Sequence, residues 1–216
     1  MAEDDWGRHF GFAGGNVFPG GPGSFAFSFG LRRMFGTSSA ISESGMNVTE
    51  SEWFTCTDHI DMIRFLGDRV SGKRLRLFAV GCCQRQRKLF IDQKPCYWHA
   101  VEVAEQYAKG LATLDQLADA YDVCDNDAHY ERDPLAFYVQ LTALHVTWKS
   151  VLGPAETPQQ PDVFTAENVP VSIRSALYQC ETRKGTHDSA RQLCVVEGFA
   201  QVELLRAMIR NPFRPV

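Results

Sequence analysis

From Met46 onward, apolar residues recur at three- and four-residue spacing between explicit helix start and stop signals, and this feature most constrains what the chain can fold into. Thr49 with Glu52 three residues on has capping-box spacing, and Trp53 and Phe54 follow as expected core anchors. Thr57 or Asp58 opens the next helix, which turns Ile60, Ile63 and Leu66 inward before Gly67. Ser71 precedes a long helix reaching to Phe90. Pro95 suits a first helical turn, and the helix through Val101 and Tyr107 stops at Gly110. Thr113 caps a helix through Leu114, Leu117, Ala118 and Tyr121, and Asp133-Pro134 opens one carrying Leu135, Tyr138, Leu141, Leu144 and Trp148.

Residues 153–170 hold four prolines and read as a surface connection. A short helix is expected from Pro170 or Val171 to Cys180. Asp188 caps a final long helix through Leu193, Val196, Ala200, Leu204 and Met208, stopped at Asn211-Pro212. No strand-period run of useful length occurs. The expected fold is all-α, an irregular bundle of six to eight helices. A helical domain spans 46–152, and the helices of 171–216 pack on that same domain.

Residues 1–45 differ from the rest. They hold 10 of the 17 glycines and 7 of the 15 phenylalanines, with no steady period. The composition predicts a disordered Gly/Phe-rich tail, or a weak Phe-Gly interaction segment. A net charge of −4 gives no global attraction to nucleic acid or anionic membrane. No apolar run approaches the roughly 18 residues of a bilayer span, and the acidic start MAEDDWGRHF is unlike a secretory leader. Seven cysteines, an odd number set mostly in apolar helical patterns, predict buried reduced thiols and a cytoplasmic location.

The blocks ESEWFTCTD, KRLRLFAVGCC, AVEVAEQYAKGLAT and NPFRPV resemble a family of uncharacterised bacterial proteins typical of planctomycete genomes. The resemblance covers about Met46 to Leu117 and the final segment QVELLRAMIRNPFRPV. It implies a start near Met46, so that residues 1–45 are an upstream extension, and a further helical stretch after NPFRPV that this chain lacks. Between these blocks relatives are often alanine-rich, whereas DVCDNDAHYERDPLAFYVQ is mixed and acidic. The family carries no assigned catalytic or ligand residues, so none transfers.

Four constellations are candidates for chemistry. Seven basic residues lie between Arg69 and Lys88 with no acid among them; Arg85, Arg87 and Lys88 are the candidates for phosphate contact. The alternative is an internally paired face, since Asp92–Asp133 holds ten acids against three bases. Asp115, Asp119 and Asp122 share a helical face and His129 follows; together they suit a divalent metal, or else form an ordinary exposed acidic face. Cys96 and His99 have zinc-ligand spacing, but only two such ligands are close in sequence. Phe213 and Arg214 sit in a proline-held C-terminal segment that suits a docking peptide, or packs back on the last helix.

No nucleophile elbow, phosphate-binding loop or Glu-x-x-His pair occurs. The expected function is a non-enzymatic helical interaction or scaffold domain with an unidentified protein partner and no cofactor. A metal-dependent hydrolase built on Asp115–Asp133 and nucleic-acid binding through Arg69–Lys88 are the alternatives.

Overall fold

A computed structural model describes residues 49–126, 133–148, 161–209 and 211–213. The described residues form eight α-helices and no strand: α1 (Glu50–Thr55), α2 (His59–Leu66), α3 (Gly72–Arg85), α4 (Pro95–Lys109), α5 (Leu114–Asn126), α6 (Pro134–Val146), α7 (Pro161–Thr182) and α8 (His187–Met208). The all-α bundle expected from periodicity is the fold. None of these helices is long and apolar enough to cross a membrane.

Local chemistry sets most helix ends. At α1 the Thr49 hydroxyl accepts from the Glu52 amide at 3.2 Å while Glu52 Oε2 accepts from the Thr49 amide at 2.7 Å. Asp58 caps α2 through the Ile60 amide, and Asp133 caps α6 through the Leu135 amide. Thr113 and Gln116 exchange hydrogen bonds at the start of α5. Gly67 and Gly110 end α2 and α4 with φ of 44° and 78°. Gly110 lies in the left-handed region, where a Cβ is penalised. Gly110→Ala is expected to lose about 1 kcal/mol in urea unfolding; an unchanged midpoint would show that the turn relaxes to another geometry.

Helix α7 lies at the centre, in contact with α6, α3 and α8, while α4 bridges α3, α5 and α6. Helix α7 replaces the part of the expected connection that falls on residues 161–170, while residues 153–160 lie outside the described residues. One unbroken helix starts at Pro161 and carries Pro170 in its interior. Proline there removes the amide that would serve the Ala166 carbonyl one turn back. Side chains from other helices hold the backbone around it: Gln201 of α8 donates to the Pro170 carbonyl at 3.2 Å, and His59 of α2 meets the Glu167 carbonyl at 3.3 Å. Burial of Ala166, Val169, Ile173, Ala176 and Leu177, each at 1% exposure or less, offsets the proline further.

Other boundaries and faces also shift. Helix α3 ends at Arg85, and a 3-10 turn from Arg87 to Leu89 finishes the run to Phe90. Thr186, not Asp188, caps α8. Phe54 is exposed because Trp53 takes the single inward direction of the short α1. In α6 the residues at 1% exposure or less are Val139, Gln140, Thr142, Ala143 and Val146, while Leu135, Tyr138, Leu141 and Leu144 are half-buried. That helix is apolar nearly all round and is contacted by α7, α4, α5 and α3, so periodicity cannot select one inward side.

The apolar arc of α3, Leu75, Phe78, Ala79, Cys82 and Cys83, is buried as the helical wheel requires, and Arg76 and Val80 outside that arc are buried as well. All seven cysteines are free thiols.

Candidate functional site

The basic run does not form one solvated face. Arg76 is 1% exposed. Its guanidinium donates to Asp162 Oδ1 at 2.6 Å, to the Val146 carbonyl at 2.6 Å and to the Trp148 carbonyl at 2.9 Å. It therefore ties the end of α6 to the start of α7 across the intervening segment 149–160. Gly72 makes room for this contact: a Cβ there would meet Asp162 Oδ2 at 2.1 Å.

Arg85 and Arg87 are exposed but already engaged. Arg85 Nη2 lies 3.4 Å from Glu197 Oε2, and Arg87 stacks 4.8 Å above the Trp98 ring. Lys88 is exposed. The acids matched to α3 come from Asp162 of α7 and Glu197 of α8, whereas sequence distance had pointed to residues 92–133.

The candidate metal carboxylates lie on α5. Asp115, Asp119 and Asp122 all project from the exposed side, and Leu117, Ala120 and Cys124 take the buried one. His129 lies outside the described residues. Cys96 is half-buried and His99 is exposed, with its Nδ1 3.9 Å from Glu102 Oε2. Among the described residues, no three His, Cys, Asp or Glu side chains converge to hold a metal ion.

Three buried thiols are chemically quiet. Burial pushes Cys82 and Cys83 well above the ordinary thiol range and Cys194 up to about 11, so all three stay protonated near neutrality.

Phe213 is half-buried and stacks on Phe65, with ring centroids 5.3 Å apart and planes at 14°. Its amide donates to Asn211 Oδ1 at 2.9 Å, and Asn211 in turn donates to Glu50. The ring of the expected docking residue is thus occupied within the chain. Arg214 lies outside the described residues.

Helix α8 departs furthest from its expected arrangement. Its interior side carries Glu197 at 3% exposure and Gln201 at 0%. Gln86 Nε2 donates to Glu197 Oε2 at 2.6 Å, and Gln201 Nε2 serves the carbonyl of Pro170. Gly198 lets the Arg174 side chain lie against the helix; a Cβ there would come within 3.1 Å of Arg174 Nη1. Burial lowers Arg174 from its ordinary value.

With polar groups held inside, Val195, Val196 and Phe199 face outward at 55%, 63% and 51% exposure. Val196, one of the regularly spaced apolar residues of this helix, is thus exposed. Polar residues are taken inward only where partners wait for them, and those partners lie on α3 and α7, far away in sequence. The signal that could have located the inward side is Ala190, Cys194, Glu197, Gly198 and Gln201 at helical spacing, a small-residue stripe interrupted by two polar groups.

No family model, curated protein or solved structure matches this chain. Its arrangement must therefore be read from its own residues. The other exposed large apolar residues, Phe54, Ile91, Leu111, Leu114 and Val123, are spread over α1, the α3–α4 and α4–α5 connections and α5. Scattered exposure of this kind is ordinary. Three such residues within one and a half turns of α8 are not scattered.

Proposed function

We propose that this chain is a helical protein-interaction or scaffold domain of the cytoplasm, and that the outer side of α8 is its contact surface. The observation that supports the reading is the inverted polarity of α8, with Glu197 and Gln201 inside and Val195, Val196 and Phe199 outside. Exposed apolar side chains cost solubility, and the same helix commits buried hydrogen bonds to keeping this orientation. Seven free thiols accord with a reducing compartment.

The test is affinity recovery of bound protein from a host lysate. Val196→Asp with Phe199→Asp should abolish recovery while leaving the unfolding midpoint within about 0.5 kcal/mol, because both positions are exposed. Neutralising Arg85, Arg87 and Lys88 should leave recovery unchanged. Full recovery by the α8 variant would overturn the reading. Phe213→Ala is expected to act on stability instead, through loss of the stack on Phe65.

A further inference from the structure

We propose that the outer seam of α8 pairs antiparallel with α8 of a second copy of this chain, an inference that rests on the contact surface assigned above. Four exposed residues, Gln192, Val196, Phe199 and Glu203, follow one another at intervals of four, three and four. This is the spacing that keeps a seam facing a partner helix lying alongside at a shallow angle. The order is also symmetric about its midpoint, between Glu197 and Gly198.

Turning a second copy end for end about that midpoint sets Val196 of each helix against Phe199 of the other. It also sets Gln192 of each opposite Glu203 of the other. The Gln192 amide then donates to the Glu203 carboxylate, a charge-assisted hydrogen bond at both ends of the apolar contact. A parallel pair would instead oppose two Glu203 carboxylates.

At each end an arginine and a carboxylate pair within the helix: Arg191, beside Gln192, lies 3.6 Å from Asp188, and Glu203, whose side chain is 70% exposed, pairs with Arg206. Arg206 fixes the Glu203 carboxylate from within the chain, because its own guanidinium is anchored on the Trp53 and Cys56 carbonyls at 3.1 and 2.6 Å. Such self-complementary order is what a two-fold contact between identical surfaces requires.

Val195, Val196 and Phe199 supply less apolar area than the roughly 800 Å² per partner of a standard interface. The pair is accordingly weak and depends on concentration.

Sedimentation of the full chain over a wide concentration range tests this directly. Gln192→Glu opposes two carboxylates and is expected to weaken self-association about tenfold or more, whereas Gln192→Lys pairs with Glu203 and strengthens it by a similar factor. Both substitutions lie on the exposed side and should leave the unfolding midpoint unchanged. A chain that is monomeric throughout, or two variants that shift association in the same direction, would overturn the pairing.

A photo-crosslinking residue placed at position 196 in the host separates this inference from the broader reading. A product of twice the chain mass supports the pair. Products with other proteins alone overturn the pair and leave the contact surface standing. Absence of any product overturns both.

Discussion

Arg76→Ala is expected to destabilise the fold by about 3 kcal/mol, measured by urea unfolding followed through helical circular dichroism. The guanidinium is almost fully buried and serves three acceptors: the Asp162 carboxylate and the carbonyls of Val146 and Trp148. Removing it strips partners from two carbonyls at and just after the end of α6 and leaves the part-buried Asp162 carboxylate without its ion pair. Asp162 keeps 25% of its side chain exposed, so water relieves part of the penalty, which sets the loss at the lower end for a broken buried pair.

Arg76→Lys should recover only part of this loss, since one ammonium cannot reproduce a planar fork directed at three acceptors. Gly72→Ala is predicted to act on the same contact, because its Cβ would displace Asp162 from the guanidinium. The two substitutions combined should cost clearly less than their sum. Strict additivity would mean that Arg76 and Asp162 stabilise independently.

What the sequence disclosed was the chemistry that closes within a few residues. The Thr49–Glu52 box, the Asp58 and Asp133 caps and the Gly67 and Gly110 stops all satisfy helix ends from nearby, so their residue types reveal them. The features that stayed hidden join distant positions. Pro170 looked like a breaker because the groups that satisfy its neighbourhood, Gln201 and His59, lie 31 and 111 residues away in sequence. Glu197 looked like a surface residue because Gln86 is 111 residues off. The apolar spacing Leu193, Val196, Ala200, Leu204 and Met208 therefore does not mark the buried side of α8, and its outer apolar seam stays hidden in the sequence.

The candidate site residues follow the same logic. Asp115, Asp119 and Asp122 were legible as one helical side, and they are one. Shared direction on a single helix does not supply ligands from a facing one, and a metal centre in a bundle needs both. The sequence blocks ESEWFTCTD, KRLRLFAVGCC, AVEVAEQYAKGLAT and NPFRPV each contain a link to a distant part of the chain. Trp53 offers its carbonyl to Arg206, Arg76 reaches Asp162, Glu105 accepts from Gln84, and Asn211 reaches Glu50. The third block also ends α4 at Gly110.

Two buried histidines are expected to make the fold sensitive to mild acid. His59 and His145 are 1% and 8% exposed, and burial lowers both from 6.5 to about 4. At His59 the nearby Arg174 guanidinium adds to the shift, while the Asp58 carboxylate and the Glu167 carbonyl oppose it. At His145 the backbone of Asn168 opposes burial, and Nδ1 meets Ser172 Oγ at 3.0 Å. Both imidazoles hold α7, one on each side of Pro170.

Between pH 6.5 and 4 the unfolded chain binds protons at these positions that the folded chain does not, so stability falls as pH drops through this window. Above it neither histidine changes stability with pH. Below it each has removed roughly 3 kcal/mol. Carboxylates titrate near the lower end, so the informative quantity is the difference between variant and parent. His145→Gln is expected to lower stability near neutrality and to flatten the loss between about pH 7 and about pH 4.5 by roughly 2 kcal/mol. Urea midpoints collected across that range give the slope. If parent and variant lose stability in parallel, His145 takes up its proton equally in the folded and unfolded chain and the acid sensitivity lies elsewhere.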